Sequence, residues 1–177
     1  MTPVFPAPPI SSTSPSSGGR ATASKVLVIG IGNRFRRDDG IGPILADRLA
    51  ARGIESIEQS GEGTALMEAW SQADHVILID AASSGAPPGT VHRFDAASEA
   101  VPAGLFHYSS HQFAVAEAIE MARVLGRMPQ RMDVFGIEGY DFSYGEGLSP
   151  EVSRSIDRAE GLILAELREN GLEVEKS

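Results

Sequence analysis

The sequence contains no cysteine. That excludes disulfides, a thiolate nucleophile and any zinc or iron–sulfur site held by sulfur, so a metal bound here would need carboxylates and imidazoles. No apolar run approaches the roughly 20 residues of a membrane span. Basic residues are outnumbered: 15 Lys and Arg stand against 24 Asp and Glu, a formal net charge of −9. A nucleic-acid backbone is therefore excluded as the main partner, since phosphate contacts need clustered cations. Three catalytic signatures are also missing. Without G-x-S-x-G there is no support for a serine triad, without H-E-x-x-H no ordinary zincin, and without G-x-x-x-x-G-K-[ST] no phosphate-cradling loop of that type.

What remains is a chain of 177 residues with 42% hydrophobic and 22% charged residues, enough for one soluble domain with a single core. The opening stretch, residues 1–24, is rich in Pro, Ser and Gly and lacks both the basic head and the apolar centre of an export signal. It reads as a disordered tail, and the cytoplasm is the expected location. From residue 25 strands and helices alternate. Val26–Ile31, His75–Asp80 and the segment "RMDVFGIE" are apolar runs suited to buried strands, and Ile54–Glu58 is a weaker fourth. "GTVHRFDA" alternates after a Pro-Pro-Gly turn and suits an antiparallel edge strand. Helical spacing follows Gly40, Thr64 and Ser149-Pro150. The segment from Ser109 opens with the S-x-x-Q capping-box pattern, Ser109 and Gln112, ahead of another amphipathic run. This alternation predicts an α/β sandwich with a mostly parallel sheet, whose sites lie at the carboxyl ends of the strands. An order beginning 2-1-3 would bring together the loop carrying Asp38 and Asp39 and the loop that begins at Asp80.

The stretch "VLVIGIGNRFRRDDGIG" holds Gly30-Ile31-Gly32, but a dinucleotide fingerprint would need Gly or Ala at position 35, which is Phe35. Two aspartates in the loop also repel phosphate. One of them can cap a helix start or brace the turn; a second beside it leaves a spare anion for a cation or substrate. Asp80 ends an apolar strand, where a carboxylate either caps a loop or faces the crevice. Of the four histidines, His75 is expected at the surface and His92 on the polar phase of its strand, while His107 lies in an irregular segment. His111 falls in the first turn of a capped helix, whose positive end favours a neutral, ligand-competent ring. Asp39, Asp80 and His111 together make a three-ligand metal site with open positions.

In order and spacing, "GIGNRFRRDDGIG", "VILIDA" and "SSHQ" resemble the hydrogenase maturation proteases, which trim the C-terminus of the nickel-iron hydrogenase large subunit. The likeness covers residues 25–171 and leaves 172–177 as a C-terminal tail. It implies a three-layer α/β/α sandwich around a small five-stranded sheet. It also implies Asp39, Asp80 and His111 as catalytic residues and nickel contacts, the nickel arriving in the precursor rather than resident in the enzyme. The implied partner is the [NiFe]-hydrogenase large-subunit precursor, processed by a monomer without nucleic acid or membrane. Many members carry Asp-Gly-Gly-Thr after the second strand; here Gly61-Glu62-Gly63-Thr64 keeps the Gly-Thr and loses the leading Asp, which leaves the choice of partner hydrogenase open. Two rival readings are a nickel-checking chaperone of the same fold that does not cut and a nucleotide-dependent α/β enzyme.

Overall fold

A computed structural model describes residues 24–102, 104–106 and 115–172. The tail assigned to residues 1–24 falls outside these, Ser24 apart, as do His107, His111 and the Ser109/Gln112 capping box. One sheet runs through the molecule in the order β2-β1-β3-β5-β4. Its strands are β1 (Val26–Ile31), β2 (Ser56–Gln59), β3 (His75–Ala82), β4 (Val91–Asp95) and β5 (Arg131–Glu138). The first four in that order are parallel, and β4 pairs antiparallel with β5 at the edge. The helices are α1 (Ile41–Ala50), α2 (Gly63–Trp70), α3 (Val115–Val124) and α4 (Pro150–Glu169). Both the 2-1-3 start and the antiparallel edge agree with the reading from the sequence.

Alternation along the strands sorts the core into two layers. Leu27, Ile29, Val76, Leu78, Met132 and Val134 pack with residues of α2 and α3 on one face. Val28, Ile77, Ile79, Phe135 and Ile137 pack with α1 and α4 on the other. Near-continuous apolar strands such as β3, buried along its whole length, are what a doubly covered parallel sheet requires.

The entry to α1 departs from simple expectation. The helix starts at Ile41, and residues Arg37–Gly40 form a separate 3-10 turn. Close packing dictates the glycines around it. A Cβ on Gly42 would fall onto the carbonyl oxygens of Ile31 and Ile79, so the first turn of α1 lies directly on the ends of β1 and β3. Gly32 has φ +138, and a Cβ there would collide with the Asp39 carbonyl oxygen. These glycines let the strand turn sharply and bring the acidic turn down onto the sheet edge.

His75 corrects the sequence reading. It is buried at the start of β3, with Nε2 at 2.9 Å from Asp133 on β5. Arg93 from β4 donates to the same Asp133 at 2.8 Å and pairs with Glu166 of α4 at 2.8 Å. Burial alone would raise the Asp133 carboxyl; the hydrogen bonds from His75 and Arg93 outweigh it and hold the group below its ordinary range. This network lies at the end of the sheet opposite Asp80 and serves to lock β3, β4, β5 and α4 together. His75→Ala should therefore cost about 2–3 kcal/mol, from a lost buried hydrogen bond and a cavity. Thermal melting should show a fall of roughly 5–10 °C; an unchanged melting temperature would show that the network carries no net stability.

Candidate active site

The carboxyl ends of β1 and β3 present two acids. Asp80 is the sixth residue of β3, on the same side as Val76, Leu78 and Ala82, which places it toward α2 and α3. Its register partner on β5 is Gly136, so no side chain from that strand stands beside it. It accepts a 2.8 Å hydrogen bond from the Ala81 N–H and is 2% exposed. Asp39 comes from the 3-10 turn and is also buried. Burial first, then the charge of Asp39, push the Asp80 carboxyl well above the ordinary carboxylate range, against the Ala81 N–H. Two buried carboxylates that oppose each other's ionisation form a site whose electrostatics favour a bound cation. No set of three His, Cys, Asp or Glu is gathered for a metal among the described residues. The structure brings Asp39 and Asp80 together; His111, the third residue expected, lies outside the described segments.

Asp38 does different work from its neighbour. It is fully buried and makes no capping bond to the helix that follows. Instead its carboxylate accepts four hydrogen bonds from the β5–α4 loop: Tyr140 N–H at 2.9 Å, Asp141 N–H at 2.8 Å, Ser149 N–H at 2.6 Å and the Ser149 hydroxyl at 2.8 Å. Of the two roles open to it from the sequence, the geometry selects bracing. Ser149 accordingly does not cap α4 with its side chain, although Pro150 sits in the first turn as expected. The 3-10 turn that carries Asp39 is thus clamped to a loop from the far end of the chain.

Glu138, the last residue of β5, is a feature the sequence reading missed. It is 1% exposed and accepts from the Ser84 N–H (2.7 Å), the Ser84 hydroxyl (3.0 Å) and the Gly85 N–H (2.8 Å), with His92 Nε2 at 3.1 Å. Burial works against its ionisation, but the bonds from Ser84, Gly85 and His92 prevail and hold its carboxyl low. The loop that leaves β3 just beyond Asp80 is thereby fixed to β5. An acid closing an apolar strand, the signal that singled out Asp80, was present here too. At the second acidic segment, Glu62 caps α2 by accepting from the N–H groups of Thr64 (3.2 Å) and Ala65 (2.9 Å). A carboxylate thus still orders the Gly-Thr turn where the leading Asp is absent.

Comparison with known proteins follows the same geometry. The model of the hydrogenase maturation protease family matches residues 45–166. The hydrogenase 2 maturation protease of Escherichia coli is 34% identical over 157 residues, covering 84% of this chain and 94% of that protein. A Rhodobacter capsulatus hydrogenase expression/formation protein, HupD, is 32% identical, covering 86% of this chain and 75% of its own length. Among solved structures, the E. coli hydrogenase maturating endopeptidase HybD superimposes with a TM-score of 0.73 at 30% identity, covering 84% of this chain and 95% of that one.

Proposed function

Since the chain belongs to the hydrogenase maturation proteases and is a peptidase, we propose that it removes the C-terminal extension of a nickel-loaded [NiFe]-hydrogenase large-subunit precursor. The observation that carries this reading is the buried, mutually opposed pair Asp39 and Asp80 at the strand ends. A pair of this kind gains by meeting a cation, and the precursor's own nickel supplies one as part of the substrate. Asp39, Asp80 and His111 contact that nickel, and the contact sets one peptide bond of the extension against the site. Water then attacks the scissile carbonyl. Either that metal or one of the carboxylates activates the water. No helix among the described residues is long and apolar enough to cross a membrane.

Purified precursor, prepared with and without nickel, gives the test. The nickel-loaded form should shift to a shorter species on gel electrophoresis and the nickel-free form should stay intact. His111→Ala should leave the nickel-loaded form uncut as well. Equal cleavage of both forms would sink nickel-guided recognition. Tight binding of the loaded form without any cleavage would favour the chaperone reading instead.

A further inference from the structure

Every exposed aromatic residue among the described residues stands on the two loops that flank the acidic pair. Phe35 is 64% exposed, Tyr140 73% and Tyr144 86%. Phe35 lies four positions before Asp39, between β1 and the 3-10 turn; the tyrosines follow β5. The two loops are stitched backbone to backbone. Gly145 N–H donates to the Phe35 carbonyl at 2.9 Å, Arg37 N–H to the Gly145 carbonyl at 2.9 Å and Asp38 N–H to the Asp141 carbonyl at 3.0 Å. Arg36 and Gly145 form a parallel bridge. The Arg36 guanidinium lies over the Tyr144 ring, 5.8 Å from its centroid. Arg37 pairs with Asp141 at 3.1 Å and holds φ +44, a conformation that costs energy without glycine.

This combination is costly for a surface with no partner. Exposed aromatic rings lose hydrophobic stabilisation, yet here they are carried on a pinned platform rather than a loose loop. A rigid aromatic surface with a stacked arginine is the composition of a protein-recognition centre, because little side-chain and backbone freedom is lost when it is covered. The platform is continuous with the acidic edge through the same four hydrogen bonds that clamp Asp38.

We propose that Phe35, Tyr140 and Tyr144, with Arg36, form the docking rim for the polypeptide segment flanking the scissile bond of the precursor. This rests on the processing function proposed above. The occupant is peptide rather than a small ligand because the rim stands on the loop that runs into Asp39 and on the loop that clamps its neighbour Asp38, beside the acidic edge of a peptidase. Its contribution is made on binding, ahead of the step at the carboxylates.

The double variant Phe35→Ala/Tyr144→Ala and the single Tyr140→Ala test the rim, with Leu125→Ala as a control at an exposed apolar residue beyond α3. Processing of nickel-loaded precursor should show a KM raised about tenfold in the double variant, with the loss falling in KM rather than in kcat. Leu125→Ala should match the unmutated protein. Binding to the precursor should be measured directly in parallel, in an Asp80→Asn background that does not cut, and should weaken by a similar factor. Unaltered KM and unaltered binding would overturn the rim while leaving the processing reading in place. A precursor that the unmutated chain never cuts removes the processing reading, and the binding arm then still decides the rim. A dimer of this chain that dissolves in the double variant would assign the rim to self-association and overturn the proposal.

Discussion

Asp80→Asn is expected to raise the melting temperature of the metal-free chain and, in the same molecule, to abolish processing of the nickel-loaded precursor. The two effects share one cause. Burial and the charge of Asp39 raise the folded-state carboxyl of Asp80 well above its unfolded range. A carboxyl raised on folding binds its proton more tightly in the folded state, so its contribution is favourable at low pH. It turns unfavourable as pH climbs from the unfolded value through the folded one. Near neutrality, above the unfolded carboxylate range, the buried acid therefore opposes folding. Asparagine keeps an oxygen to accept the Ala81 N–H and removes the charge. The gain should be on the order of 1 kcal/mol, a few degrees in a melting scan. On the proposed reading, processing should fall by at least about a hundredfold, because one contact that aligns the scissile bond is lost. Asp39→Asn should likewise abolish processing. A variant that melts lower than the parent, or that still processes at the parental rate, would contradict the view of this pair as strain held for function. Asp133 has the opposite sign: held low by its hydrogen bonds, it contributes stability above the unfolded carboxylate range and loses it on acidification.

Gly42→Ala should be severely damaging for a single added methyl group. Its Cβ would occupy the space of the Ile31 and Ile79 carbonyl oxygens, and the Ile31 nitrogen would lie 2.8 Å away. These are backbone atoms in the two central strands, which cannot turn aside as a side chain would. Relief would require lifting the first turn of α1 from the sheet. That would strip cover from Ile41 and Leu45, both fully buried. A cost upward of about 3 kcal/mol follows, set against the usual gain of alanine within a helix. Urea unfolding should show the midpoint falling by a large fraction of its value. A variant as stable as the parent would mean that α1 can shift without penalty, which the close approach of Gly30 to the Gly42 carbonyl argues against.

Much of the architecture was legible because it is written in local periodicity. The runs at β1, β3 and β5 and the period of α4 are each fixed by consecutive residues. So is the alternation of β4. The role of Asp38 was narrowed to two possibilities but not decided, since its hydrogen-bond donors lie in the loop before α4 and carry no mark that they face it. His75 was misplaced for the same reason: only the sheet order brings Asp133 beside it and Arg93 within reach of both. Glu138 gave the same signal as Asp80, an acid ending an apolar run. Distinguishing a carboxylate that fixes a loop from one that meets a substrate required knowing which N–H groups converge on it. That Asp39 and Asp80 meet was legible because two strand ends, once placed side by side by the 2-1-3 order, leave their loops nowhere else to go.

The clamp on Asp38 also fixes when the domain can be finished during synthesis. Its four donors belong to residues 102, 103 and 111 positions further along the chain. While the ribosome is still making β3, the acidic turn has only water to satisfy that carboxylate, and burying it early would be costly. The acidic edge therefore closes last, after β5 has paired and the residues beyond it have emerged. Closure of that edge is thus deferred until nearly the whole polypeptide has left the tunnel.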